Sequence, residues 1–176
     1  MFHRYFSGTL RALILATAVA ALGVTGCKPK PKEITSLQRK EAEQLVSEAQ
    51  FSITLRDYTK AESELAKAVA ICPDTGDYWV SLGTMRLKLR QRDAAKAAYQ
   101  SGLAAYEASA VLAPKDVQPV LQQITVLAML GRTDEARALV EKLTARFPDN
   151  RDARMFGERK QLDRMLADPD FKEIAL

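Results

Sequence analysis

Two stretches of this chain match when laid over one another. Tyr58-Thr-Lys-Ala61-Glu-Ser-Glu-Leu65-Ala-Lys-Ala68 aligns with Thr133-Asp-Glu-Ala136-Arg-Ala-Leu-Val140-Glu-Lys-Leu143, and a proline follows each, Pro73 and Pro148, five residues after the last matched position. Between them Ala95, Tyr99 and Gly102 repeat the same spacing. Small or apolar residues at i, i+4 and i+7 make one face of a helix. Upstream of each lies a second helical stretch: Leu45, Ala49, Phe51 and Ile53; Trp79, Leu82, Gly83 and Leu87; Val120, Ile124, Leu127 and Leu130. A short turn joins the two, and Gly131 supplies a helix-ending signal in the third. A two-helix unit cannot bury its apolar face alone, so a chain built this way must stack its units into one layered core.

The pattern resembles the tetratricopeptide repeat, a helix–turn–helix unit of about 34 residues. Trp79-x-x-Leu82-Gly83 stands as the family's Trp-x-x-Leu-Gly does, and Ala61 with Pro73, and Ala136 with Pro148, match its end. The resemblance implies an all-α fold, a helical-hairpin solenoid of about three repeats over 42–75, 76–116 and 117–150, in a short right-handed superhelix of seven to eight helices without a sheet. Unit starts at Ala42, Gly76 and Val117 give steps of 34 and 41 residues. The longer step and the late Pro114 predict two extra turns on the second helix of unit two, through Ala104–Leu112. Seven residues keep the helical phase, and Tyr106 with it near the stripe. Ile124 stands where a small residue usually lets the paired helices approach, which predicts a splayed third pair. Residues 151–176 are expected to close the stack. Ala153, Phe156, Leu162, Met165 and Leu166, among Arg151, Arg154, Arg159 and Lys160, predict one capping helix over 151–166. Asp168-Pro169 then opens a short last helix whose Phe171 and Ile174 pack on the solenoid end.

The N-terminus reads as an address. Arg4 and Arg11 precede a 13-residue uncharged run from Ala12 to Val24, too short to span a bilayer, and Thr25-Gly26-Cys27 follow. Val24-Thr25-Gly26-Cys27 resembles the bacterial lipobox. That resemblance implies a signal peptide over 1–26, a lipidated Cys27 at the new N-terminus, and a mature chain of 150 residues. Acyl chains contribute about 0.8 kcal/mol per buried CH₂, enough in number for lasting membrane attachment. Lys28 in place of Asp after the cysteine implies the outer membrane, facing the periplasm. Lys28-Pro29-Lys30-Pro31-Lys32 predicts an extended spacer, with residues 28–40 reaching roughly 40 Å.

Composition narrows the chemistry. Charged residues are 27% and hydrophobic ones 47% of 176, an ordinary soluble helical balance. The net charge of +4 sits in the N-terminal segments, and residues 41–176 carry about −2, so no basic nucleic-acid surface is expected. His3, the one histidine, leaves with the signal peptide. The mature chain then has no imidazole for catalysis or metal binding. Its second cysteine, Cys72, ends an apolar stripe, which favours a buried thiol over a redox centre. Carboxylates such as Glu41, Glu43, Glu62 and Glu64 are expected on solvent faces. No enzyme activity, no metal and no cofactor beyond the lipid on Cys27 are expected.

What remains is binding: an envelope lipoprotein acting as a protein–protein interaction scaffold or assembly factor. Self-association as a structural lipoprotein, or thiol chemistry at Cys72, are the alternatives. In the tetratricopeptide family the first helix of each unit lines the groove. The resemblance places that row at Glu43, Val46, Gln50 and Ile53; Asp77, Val80, Thr84 and Leu87; and Gln118, Leu121, Thr125 and Ala128. The row lacks the Lys, Arg and Asn cluster that holds an acidic chaperone tail, so a segment with apolar anchors is the expected ligand. In a groove this short, the chain's own linker or C-terminal helix is the competing occupant.

Overall fold

Thr35 sets where the first helix starts. Its hydroxyl accepts from the Gln38 N–H at 3.2 Å while the Gln38 side chain accepts from the Thr35 N–H at 3.0 Å, a reciprocal capping box. The computed structural model describes residues 33–158 and 160–176, and helix α1 runs Ser36–Thr54. The predicted spacer is therefore too long: residues 36–40 are helix, because Thr35 and Gln38 nucleate it. The signal-peptide segment 1–26, Cys27 and the Lys/Pro-rich stretch through Lys32 lie outside the described residues.

Eight further helices follow: α2 (Tyr58–Ile71), α3 (Gly76–Lys88), α4 (Arg92–Leu112), α5 (Gln118–Met129), α6 (Thr133–Arg146), α7 (Arg151–Glu158), α8 (Gln161–Ala167) and α9 (Pro169–Ile174). No strand occurs among the described residues. The fold is all-α, and each helix packs chiefly on the next in sequence.

The backbone repeats three times, most visibly at its turns. After α1, α3 and α5 the chain enters the left-handed region at Arg56 (φ 60°), Arg90 (φ 61°) and Gly131 (φ 71°). Each turn closes with the same pair of bonds. Arg56, Arg90 and Gly131 donate to Ile53, Leu87 and Ala128, and the next residues, Asp57, Gln91 and Arg132, donate to Ser52, Arg86 and Leu127. This is the Schellman closure, which satisfies carbonyls a helix end would otherwise leave unpaired. After α2, α4 and α6 the C-cap residue is in each case the one before a proline. Cys72, Ala113 and Phe147 have φ between −121° and −128° and ψ between 60° and 74°, outside the helical region that a following proline disfavours for its neighbour.

The first kind of turn recurs after 34 and then 41 residues, the second after 41 and then 34. The seven additional residues therefore lie between Arg90 and Ala113, within α4. That helix has 21 residues where α2 and α6 have 14. Two whole turns keep phase, and Tyr106 stays buried. Beyond it, Val111 and Leu112 stand 79% and 85% exposed at the tip.

Ile34–Leu176 form one compact unit. Its core grows from Ala42, Ala68 and Cys72, through Ala49, Leu65 and Leu82, to a larger cluster running from Tyr99 to Phe171. Ile124 is fully buried, and α5 meets α6 less closely than α1 meets α2 or α3 meets α4. Three expectations need correction. Phe51, placed on the apolar stripe of α1, is 63% exposed, and the buried positions there are Ala42, Ala49 and Ser52. Glu64 is not on a solvent face but buried, its carboxylate 3.1 Å from the Lys67 ammonium. The cap over 151–166 is two helices, because the chain turns at Lys160 (φ 48°) just beyond Gly157, a weak helix former.

Candidate functional site

The first helices of the three hairpins carry the predicted row, and its positions differ in what surrounds them. On α1, Glu43 and Gln50 are exposed, while Val46 and Ile53 are half-buried against the core cluster shared by α1 to α4. On α3, Asp77 is exposed and its carboxylate accepts a hydrogen bond from the Tyr106 hydroxyl. Burial, reinforced by that carboxylate, pushes the Tyr106 hydroxyl far above the usual tyrosine range, so it stays a donor. Val80 and Leu87 are half-buried. Thr84 lies 3.3 Å, hydroxyl to hydroxyl, from Tyr99 and donates to the Val80 carbonyl at 3.0 Å.

On α5, Gln118 is exposed and its side-chain amide donates to Asp152 at 3.1 Å. Leu121 and Thr125 are half-buried, and Thr125 donates to the Leu121 carbonyl at 3.2 Å. Ala128 is buried. Val80, Leu87 and Leu121 all pack on the cluster that includes Leu162 and Phe171. In each of the three helices the row thus starts at an exposed residue and runs into residues packed on the core, and α1 alone exposes a second position, Gln50.

The C-terminal helices pack on these two: α9 meets α3, and α8 meets α5. Asp168 caps α9 by accepting from the Asp170 N–H at 2.8 Å, and Pro169 takes the first helical position. Phe171 is buried, and Ile174, Ala175 and Leu176 are half-buried on the same cluster. Three polar contacts fix the segment. The Tyr99 hydroxyl donates to the Ile174 carbonyl at 2.7 Å. The Leu176 N–H donates to the Met129 carbonyl at 2.8 Å, at the end of α5. Lys88 pairs with Glu173 at 2.7 Å, and each holds the other in its charged form: the hydrogen bond raises Lys88 and lowers Glu173.

Phe171 and Ile174 were expected on the solenoid end. The segment reaches further, back to the second hairpin and to the end of α5. Tyr99, Lys88 and the Met129 carbonyl carry that contact and were absent from the sequence-derived row. Lys88 and Glu173 are 85 residues apart, and nothing local in either segment signals the pairing.

Cys72 is fully buried, its sulfur 3.9 Å from the Gln38 carbonyl, and burial pushes its thiol up. Nearby, Arg39 and Asp74 pair at 2.7 Å, tying the start of α1 to the α2–α3 turn. No helix among the described residues is long and apolar enough to cross a membrane. No protein-family model matches this chain, no curated protein matches it, and no solved structure matches it.

Proposed function

We propose that this protein is a tetratricopeptide-type envelope lipoprotein that holds a protein segment on the row formed by the first helices of its hairpins. The observation that carries the reading is the threefold turn geometry. Left-handed closures at 56, 90 and 131, and prolyl C-caps at 72, 113 and 147, mean that one hairpin is built three times. On this reading the stacked hairpins present their first helices along one side, a surface suited to an extended or helical ligand. Trp79-x-x-Leu82-Gly83 adds the family's own packing residues. On this reading Cys27 carries the lipid, the protein faces the periplasm from the outer membrane, and its role is to scaffold or assemble a partner without catalysis.

The test uses the exposed positions of the row. A photo-crosslinking residue at Glu43 or Gln50 captures one partner from native envelopes, and the same residue at Lys67 on α2 does not. Equal capture from both helices would move binding elsewhere. Val80 and Leu121 are unsuitable for charge substitutions, since both pack into the core. The anchor has its own test: palmitate labels the chain, and Cys27→Ala abolishes both labelling and membrane fractionation.

A further inference from the structure

We propose that the segment Pro169–Leu176 is an exchangeable occupant of the face made by α3, Tyr99 and the end of α5. The partner that face takes is a protein segment of the same chemistry: an aromatic anchor, an acid two residues on, an aliphatic residue three on, and an extended end. The proposal rests on the reading of the row as a protein-binding surface and names its ligand there.

Two of the three polar contacts are made to the segment's backbone. Tyr99 takes the Ile174 carbonyl and Met129 takes the Leu176 N–H, so neither contact depends on which side chains the occupant carries. Backbone capture with side-chain anchors between is how protein surfaces recognise short peptide segments. Selectivity comes from the rest. Phe171 fills the apolar cluster, and Lys88 at the end of α3 offers its ammonium to an acid. Thr84, beside the Tyr99 hydroxyl that holds Ile174, belongs to the predicted row, so a ligand reaching that part of α3 meets this segment.

The segment is also built to leave. A six-residue helix is far below the length that holds itself in water, so α9 depends on its docking. The ion pair that it makes among the described residues is partly solvent-exposed, at 34% for Lys88 and 64% for Glu173, and such pairs hold weakly. Covalent attachment supplies what affinity does not, because a short tether presents the segment at millimolar effective concentration. A partner therefore binds with its affinity reduced by the fraction of chains whose face is open.

The experiment keeps the face and loosens only the occupant. In the full chain carrying Cys27→Ala, Phe171→Ala and Ile174→Ala weaken the segment without touching α3, Tyr99 or α5. A fluorescein-labelled peptide of residues 168–176 is titrated into this chain and into the chain with its own segment intact, and anisotropy is read. Binding to the loosened chain is expected to be at least tenfold tighter. Lys88→Glu in that background is expected to weaken it several-fold, and a Glu173→Lys peptide to restore it. Equal affinity for both chains, or no binding to a loosened chain that keeps its helical signal and cooperative melting, overturns the proposal. Loss of that helical signal also overturns it, because the segment would then be a fixed structural end. A dimer formed by mutual exchange of the segment, seen by light scattering, makes a second copy the occupant and overturns the partner named above. Crosslinking from Glu43 and Gln50 reports on the row independently of every one of these results.

Discussion

The Tyr99 hydroxyl donates to the Ile174 carbonyl across 75 residues of sequence, and Gly83 is what lets Tyr99 stand there. A Cβ at position 83 would lie 2.4 Å from the Tyr99 ring, well inside contact distance. The ring is fully buried and its hydroxyl is held by Ile174, with Thr84 beside it, so it has little room to yield. Gly83→Ala therefore costs about 1–3 kcal/mol, the usual penalty for overfilling a packed site. Urea unfolding of the variant measures it, and a change below a few tenths of a kcal/mol contradicts the packing described.

The first two left-handed turns carry arginine where the third carries glycine. A residue with a Cβ pays about 1 kcal/mol or more in that conformation, so Arg90→Gly is expected to stabilise the protein by about 1 kcal/mol and raise its Tm by about 3 °C. Arg90 is exposed, so little packing is lost. Calorimetry decides, and an unchanged or lowered Tm counts against the turn assignment.

One position on, the three hairpins differ again. Asp57 caps α2 by accepting from the Lys60 N–H at 3.0 Å, whereas Gln91, at the equivalent place before α4, makes no side-chain cap bond. Gln91→Asp supplies the missing acceptor and is expected to gain about 1 kcal/mol. The same unfolding measurement checks it, and destabilisation would mean that α4 starts differently from α2.

The hairpins were legible in the sequence because their signals are local. Ala61, Ala95 and Ala136 mark small positions one hairpin apart, Pro73, Pro114 and Pro148 mark ends, and the lengthened α4 followed from counting residues to Pro114. The start of α1 was missed, although Thr35-x-x-Gln38 announces it. The turns at Arg56 and Arg90 gave no signal, since arginine there is tolerated rather than preferred. Within the row, the residues on α3 and α5 could be numbered, but their covering could not be foreseen in detail. Phe171 and Ile174 read as apolar in any cap, and which surface they meet is decided by the turn at Lys160 and by contacts to Tyr99, Lys88 and Met129. Those are tertiary, and no pattern within α9 encodes them.

Cys72 should behave as a core residue. Its thiol is fully buried and its ionisation pushed up by that burial, so it presents little thiolate. Labelling with a thiol-reactive dye is expected to be slow in the native protein and to become fast once denaturant opens the α1–α2 hairpin. Fast native labelling would place the sulfur at the surface and revive a redox role.

The ion pair at the C-terminal segment sets a pH window. Glu173 is lowered by Lys88, so its contribution to docking is present above the ordinary glutamate range and lost as pH falls through its depressed value. Lys88 is raised, so its contribution is full below the ordinary lysine range and lost only as pH rises through its raised value. Acidification to below the ordinary glutamate range should therefore shift the NMR signals of residues 171–176 before those of α2 or α3 move, and Glu173→Gln should remove that transition. Simultaneous change throughout the chain would show that the segment does not release on its own.

The docking of the chain's end on its second and third hairpins is open to one direct reading, the hydrogen exchange of the Leu176 amide. A backbone amide that nothing holds exchanges at the free-chain rate. Here it donates to the Met129 carbonyl at 2.8 Å. NMR-detected exchange at neutral pH is expected to show Leu176 protected at least tenfold over the unstructured rate, with protection lost in Phe171→Ala, which loosens α9. Exchange of Leu176 at the free-chain rate in the unsubstituted protein would contradict the docked segment and the account built on it.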